Sequence, residues 1–227
     1  MALTTNLVAY YKLDGNSNDS VASLNGTDTS MTYVSGKMGQ AGSFNGSASK
    51  IALPTLNVFG SAARSIQAWV KTTNNGGVFH MGNAAADSMF SLNIGASGVN
   101  NGTPDVSTFN GTGVRSPTLV NDGNWHQIVA TYNGGTMTSA NCLIYVDGVV
   151  TASVGGSNQV NNSINANYAI GQWASTGSFY FNGQIDLVGL WAKVLTAGEV
   201  SELYNGGADL DYPFTSSLGS FFHFFPS

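Results

Sequence analysis

With 227 residues, the chain is sized for one large all-β domain or two small ones. Only 8% of its residues are charged, against roughly 25% in an ordinary soluble domain, while 42% are hydrophobic and 11% aromatic. That content builds a sizeable core and argues against disorder. The net charge is −5 and the seven Lys and Arg residues are scattered singly, which excludes nucleic-acid binding through phosphate contacts. No apolar run approaches the roughly 18 residues of a membrane-spanning helix. The single cysteine, Cys142, leaves no internal disulfide and no Cys-based metal site.

In chain order, "MALTTNLVAYYKLDG" lacks the basic and continuous apolar segments of a Sec leader. Its apolar part reads as a strand that stops at the turn signal Asp14-Gly15. "AGSFNGSASKIAL" reads as two short strands around the hairpin-type dipeptide Asn45-Gly46. In "SIQAWVKTT", Ile66, Ala68 and Val70 share one face and Gln67, Trp69 and Lys71 the other. "GVFHMGN" and "SMFSLNIG" follow as strands, and residues 95–117 form a polar stretch with weak strand signals. "NWHQIVATYNG" and "NCLIYVDGVV" are the clearest strands, the second broken by a turn at Asp147-Gly148; within it Cys142 is expected to be a buried, inert thiol. "YAIGQW" and "SFYFNGQIDLVGLW" complete the set. Short strands with turns every ~8 to 12 residues predict an all-β, two-sheet antiparallel jelly-roll sandwich.

One helix is predicted, over residues 196–204. Thr196 is its N-cap, Glu199 completes a capping box, and Val200, Leu203 and Tyr204 share one face. Gly206-Gly207 ends it. About two turns of helix are not stable alone, so it must dock on the sandwich.

Four stretches in order carry a resemblance: "LVAYYKLDGNSNDSVASLNGT", "SIQAWVKT", "GNWHQIVATYNGG…LIYVDGVV" and "FNGQIDLVGLWAKVLTAGEVSELYNGG". Together they resemble the laminin G-like, concanavalin A-like lectin/glucanase superfamily. The resemblance implies a single domain, taken as residues 1–214, whose last strand feeds a short helix covering one end; the aromatic tail at 215–227 exceeds the family pattern and reads as an interaction segment. The chain departs from the family pattern at Leu187, where a second acid is usual, and at Ala192-Lys193, where Asn-Arg is usual. Because Lys cannot fork onto a carboxylate as Arg does, a thinner polar network is expected there. Related glucanases carry a Glu-x-Asp-x-x-Glu arrangement on a strand; here the only glutamates, Glu199 and Glu202, sit in the helix, and the expectation is no enzymatic activity.

The resemblance also implies a structural Ca²⁺ between the first loop and the closing strand. Asp14, Asn16 and Asp19 in "DGNSND", with Asp186, offer the hard oxygen donors such an ion takes. The alternative is that these side chains bond backbone N–H groups, as Asx-turns do. For glycan binding, Trp173 is the leading aromatic, with Tyr180, Asn74 and Asn75 as weaker candidates; each has core or turn duty as its competing explanation. Phe221, Phe222, Phe224 and Phe225 would be an association liability in water, so the tail fills an open end of its own sandwich or binds a partner. These features lead to a non-catalytic lectin-like display module on a larger assembly or homo-oligomer. A virion surface, of phage decoration or adhesin type, suits the missing Sec leader. A free carbohydrate-binding lectin is the alternative, and a glycoside hydrolase a distant one.

Overall fold

The computed structural model describes residues 2–83, 85, 87–96, 102–108, 113–160, 167–173, 178–208 and 210–215. Its strands are β1 (Leu7–Tyr11), β2 (Thr27–Thr29), β3 (Thr32–Ser35), β4 (Gln40–Asn45), β5 (Lys50–Leu53), β6 (Arg64–Thr72), β7 (Gly76–Gly82), β8 (Met89–Ile94), β9 (Pro104–Ser107), β10 (Val114–Arg115), β11 (Trp125–Tyr132), β12 (Thr136–Met137), β13 (Cys142–Val146), β14 (Val149–Val150), β15 (Val154–Gly155), β16 (Asn158–Gln159), β17 (Asn167–Ile170) and β18 (Asn182–Trp191). The helix α1 spans Ala197–Tyr204. Sheet A runs β14-β13-β11-β6-β18-β4-β3, with β1 also paired to β18; sheet B runs β15-β10-β9-β8-β7-β17-β5-β2. Each has eight strands, and a two-stranded ribbon of β12 and β16 stands apart. This is the antiparallel jelly-roll sandwich that the strand spacing predicts.

The main core lies between the sheets. Ile66, Ala68 and Val70 of β6 and Ile128 and Ala130 of β11 face Phe79, Phe90, Leu92, Val106 and Ile170 of sheet B. Cys142 is fully buried in this layer, where desolvation pushes its thiol pKa up to about 12 and keeps it protonated and inert. The alternate residues of β6 are buried too, because the outer face of sheet A has its own cover. Trp69, Val129, Leu187 and Trp191 form a second apolar cluster with Val200 and Leu203 of α1 and with Leu210 and Phe214. Tyr204 stacks on Trp69 at 5.9 Å, and Phe214 meets Tyr10 edge-on at 5.3 Å. The short helix therefore covers the outer face of a sheet rather than one end of the sandwich. Its capping box is present: Thr196 N donates to Glu199 Oε2 and Glu199 N donates to Thr196 Oγ1. The Lys193 ammonium pairs with Glu199 Oε1, so lysine supplies a monodentate contact at the place where the thinner network is expected.

One local expectation changes. Asn45-Gly46 reads as a hairpin turn, yet β4 lies in sheet A and β5 in sheet B. The Asn45 side chain explains the corner: its Oδ1 accepts the N–H groups of Ser47, Ala48 and Ser49. Four residues wrapped around one amide turn the chain between sheets, whereas a two-residue turn would have kept both strands in one ladder. The strands β2 and β3 carry no apolar alternation ("TDT", "TYVS"). The tail phenylalanines Phe221, Phe222, Phe224 and Phe225 lie outside the described residues.

A buried cation closes the core near the start of β6. Arg64 is fully buried, with Nε donating to Ala62 O and Nη2 to Gly60 O, and its guanidinium lies 5.3 Å over the Phe90 ring. Burial lowers its pKa to about 10, which still leaves it charged at neutral pH. These backbone carbonyls help compensate the charge. Arg64→Lys keeps the charge but loses the fork, and it should cost on the order of 2 to 3 kcal/mol, the range for hydrogen bonds to charged groups; denaturant midpoints at unchanged m-value would measure this.

Candidate functional site

The four residues singled out for glycan binding come together on one rim. Asn74 and Asn75 lie in the loop between β6 and β7; Trp173 and Tyr180 lie in the segment between β17 and β18. Gly76 and Gly77 bring the two stretches into backbone contact. A Cβ on Gly76 would stand 2.6 Å from Phe181 Cα and 2.9 Å from Tyr180 O, and one on Gly77 would stand 3.1 Å from Trp173 N. Side chains at either glycine would push the walls apart. Gly77 N donates to Phe179 O at 3.0 Å, and Asn75 Oδ1 accepts Gly102 N at 2.9 Å. Asn74 and Asn75 thus differ: Asn75 is half-buried and braces the rim, whereas Asn74 is exposed.

Trp173 is anchored by its polar edge. Its Nε1 donates to Asn93 Oδ1 at 2.5 Å, and its ring lies 5.3 Å from Phe179. Asn93 belongs to a polar ladder across β8 and β9, where Ser91 opposes Ser107 and Asn93 opposes Asp105. Asn93 Nδ2 donates to Asp105 Oδ1 at 3.1 Å and Ser107 Oγ at 2.8 Å. Ser107 Oγ donates to Asp105 Oδ1, and Ala96 N to Asp105 Oδ2. These residues point away from Phe90, Leu92 and Val106, so they line the outer face of sheet B. His80 of β7 stands opposite Ser91. Desolvation holds its pKa down to about 4 against the raising effect of its Gly82 O contact, so it is neutral at neutral pH. Gln172, next to Trp173, is fully buried, and neither amide atom has a hydrogen-bond partner among the described residues. Such an amide is costly unless something pairs with it. Asn93, Asp105, Ser107, His80 and Gln172 escape sequence reasoning because they sit in strands or turns without a motif. The only signal is polar residues at every second position of "SMFSLNIG".

The residues proposed for calcium are placed differently. The Asp19 carboxylate accepts four backbone N–H groups, from Tyr10, Val21, Ala22 and Leu24, which fills about the four lone-pair sites a carboxylate offers. Asp186 Oδ2 accepts Lys37 N at 2.9 Å and Met38 N at 3.1 Å. Asp14 Oδ1 accepts Gln40 N, and Asn16 Oδ1 accepts Asn18 N. Among the described residues no three His, Cys, Asp or Glu side chains are placed to share a metal ion. The donor set therefore fits backbone capping better than a calcium ion.

Nearby, His126 Nδ1 meets Asp147 Oδ2 at 2.8 Å and Nε2 meets Asp122 Oδ1 at 3.2 Å. The Asp147 hydrogen bond raises its pKa, outweighing the lowering effect of burial, and the Asp122 contact adds to the rise. The clamp ties the turn before β11 to the β13–β14 hairpin.

Two outcomes follow from these placements. Asp186→Ala strands two N–H groups and should destabilise the fold by on the order of 2 kcal/mol or more, while EDTA leaves the wild-type melting temperature unchanged; a drop on EDTA that the mutation abolishes would return calcium to this place. For His126, a raised folded pKa means that its stabilisation is fully present below the unfolded value of about 6.5 and is lost as pH rises through the folded pKa. Stability measured from pH 5.5 to 9 should decline over that window, and His126→Gln should flatten the decline.

Comparison with known proteins places this geometry. The model of the concanavalin A-like lectin/glucanases superfamily matches residues 45–201. No curated protein matches the chain in sequence. Among solved structures, domain 4 of a GH43 extracellular arabinanase from Geobacillus stearothermophilus, in complex with arabinotriose, aligns with TM-score 0.69 and 23% identity over 86% of this chain and 97% of that one. The binding domain of Paraclostridial Mosquitocidal Protein 1 aligns with TM-score 0.64 and 14% identity, over 90% of this chain and 53% of that one. The botulinum neurotoxin serotype G binding domain gives 0.59 and 16%, over 88% and 50%. This chain thus spans about half the length of the two toxin domains. At these identities the likeness is one of fold. With the family model covering more than half of its length, the chain belongs to the concanavalin A-like lectin/glucanase superfamily.

Proposed function

We propose that the protein is a non-catalytic, lectin-like module that binds glycan at the Trp173 rim and is displayed on a larger assembly, a virion surface of decoration or adhesin type. The observation that carries the glycan reading is the anchoring of half-buried Trp173 to the Asn93–Asp105–Ser107 ladder. An aromatic ring held rigid by its N–H, beside fixed amide and hydroxyl groups, is what a sugar ring with apolar faces and polar edges requires. The arabinanase domain of the same fold, solved with arabinotriose, supports this reading. Glycoside hydrolysis calls for two carboxylates about 5 to 9.5 Å apart. The ladder supplies one, Asp105, which is engaged by Asn93, Ser107 and Ala96; Glu199 serves the helix cap on the other sheet.

The assembly reading rests on the Phe221, Phe222, Phe224 and Phe225 segment. Fully burying one Phe is worth roughly 1.5 to 3 kcal/mol, so four supply several kcal/mol to an interface. Phe214 is already buried against Tyr10 and Trp191, and truncation after it leaves that cluster whole.

On a glycan array that includes arabino-oligosaccharides, the wild type should bind, and Trp173→Ala and Asn93→Ala should each weaken binding at least about tenfold, or ~1.4 kcal/mol. Unchanged binding by both variants, or no binding by the wild type, would overturn the glycan reading. Removing residues 215–227 should abolish association seen by light scattering while leaving the melting temperature nearly unchanged; a truncated chain that loses many degrees with no change in mass would assign the tail to the domain's own core.

A further inference from the structure

A second site lies on the other side of the rim, at the open end of sheet A. A cleft of about 310 Å³ is lined by Lys71, Thr73, Asn74, Gly123, Asn182 and Gln184, among others. Its walls are fixed. Thr72 Oγ1 accepts Asn74 N at 2.9 Å and donates to Asn182 O at 2.6 Å, tying the β6–β7 loop to the start of β18. Gly123 N donates to Thr72 O at 3.0 Å and holds the third wall. Gly183 has φ 146°, and a Cβ there would lie 2.3 Å from Lys71 O, so glycine is needed for β18 to approach β6 this closely.

The sheet register sets what the cleft presents. Trp125 on β11 opposes Lys71 on β6, and Lys71 opposes Gln184 on β18. Directly opposed side chains share a face with Cβ atoms about 4.5 to 5.5 Å apart. An indole, an ammonium and an amide therefore stand in one row on the outer face of sheet A; Lys71 and Gln184 line the cleft, and Trp125 stands beside it, packed against the outer cluster. All three are at least partly accessible. Four of the other six cations are engaged: Lys12 with Asp211, Lys193 with Glu199, Lys37 with Gly207 O and the Trp69 ring, and Arg64 with carbonyls. Lys71 has no ion pair among the described residues, in a protein of net charge −5. Asp122, one residue before the Gly123 wall, is turned back onto Asn124 and His126. The Asn182 and Gln184 amides have no hydrogen-bond partner among the described residues.

We infer that this cleft binds a sugar bearing a carboxylate, a hexuronate or sialic-acid unit, with Lys71 on the carboxylate and the Asn74, Asn182 and Gln184 amides on ring hydroxyls. Amides both donate and accept, which matches hydroxyls. A phosphate, which only accepts, would leave the amide oxygens idle and finds here neither a second cation nor a helix N-terminus. The volume is at the lower end of the range for small-ligand clefts and suits one or two sugar rings. Apart from Asn74 in the shared β6–β7 loop, the site is separate from the Trp173 rim and stands or falls apart from it.

Titration of ¹⁵N-labelled protein with trigalacturonate, sialyllactose, lactose and inorganic phosphate tests this. At least one carboxylated probe should shift the amides of residues 71–74 and 182–184 and the Trp125 indole N–H. Lactose and phosphate should not shift them at the same concentration. Lys71→Met should weaken binding about tenfold or more, Lys71→Arg should retain most of it, and 0.5 M salt should weaken it, whereas Trp173→Ala should leave it intact. Each variant's own spectrum reports whether it is folded. The inference is overturned if neither carboxylated probe shifts these residues up to 10 mM, if lactose or phosphate binds them equally well, or if folded Lys71→Met binds like the wild type.

Discussion

The pivot of this molecule is the bulge in β18. That strand runs along β6, but its other edge serves two partners: residues 182–185 pair with β4, and residues 188–191 pair with β1. The register against β6 slips between Asp186 and Gly189, and Leu187 sits at φ 51°, a left-handed value that is costly for a branched side chain. What holds it there is burial of Leu187 in the outer cluster together with the Asp186 carboxylate, which receives the N–H groups of Lys37 and Met38 from the β3–β4 turn. An acid inside an apolar strand, which at first suggests chemistry, is the peg that lets one strand change neighbours.

The same turn shows how a chain so poor in charge uses the few charges it has. A Cβ on Gly36 would lie 2.6 Å from Asp186 Oδ2, and one on Gly39 2.8 Å from Asp14 Oδ1, so both carboxylates reach backbone because glycine clears the way. Lys37 then lays its ammonium 4.3 Å over Trp69 and donates to Gly207 O, closing the end of the helix cover. Asp19 follows the same habit, capping the loop N–H groups of Val21, Ala22 and Leu24. Carboxylates bound to several N–H groups are strongly held, which makes these loops rigid without ion pairs.

Much of the fold was legible because short strands bounded by turn signals recur along the chain, with the inward set Ile66, Ala68 and Val70 visible in β6, and because Thr196 and Glu199 cap a helix with a local signal. The corner at Asn45 was misread: a hairpin turn and a sheet-switching corner share the same Asn-Gly dipeptide, and they differ only in what the next three N–H groups bond to. Burial of both faces of sheet A was hidden as well, since Gln67 and Lys71 look equally polar in sequence, yet α1 covers one and not the other. At the candidate site Trp173, Tyr180, Asn74 and Asn75 were found from composition and loop position. Their convergence depends on Gly76 and Gly77, and the ladder beneath Trp173 depends on cross-strand register. Neither is local information.

Register also explains why the two proposed sites fall at one end of the sandwich. The loop from β6 to β7 is the place where the chain leaves sheet A for sheet B, so its two sides face different environments. Asn75 turns toward Gly102 and the sheet B side; Asn74 lines the cleft at the end of sheet A where β18 starts. The Thr72 hydroxyl, bonded to both the loop and β18, fixes the point from which these directions diverge. A loop held at its root by one hydroxyl and at its tip by two glycines against a neighbouring backbone gains rigidity that its own sequence, "TTNNGG", would not provide. Sites on loops are precise only when the scaffold over-determines them, and here strand-end geometry supplies that constraint. The two proposed sites are therefore mechanically linked through a single loop while remaining chemically distinct, one aromatic and hydrogen-bonded to the Asn93–Asp105–Ser107 ladder, the other carrying a lysine with no ion pair among the described residues.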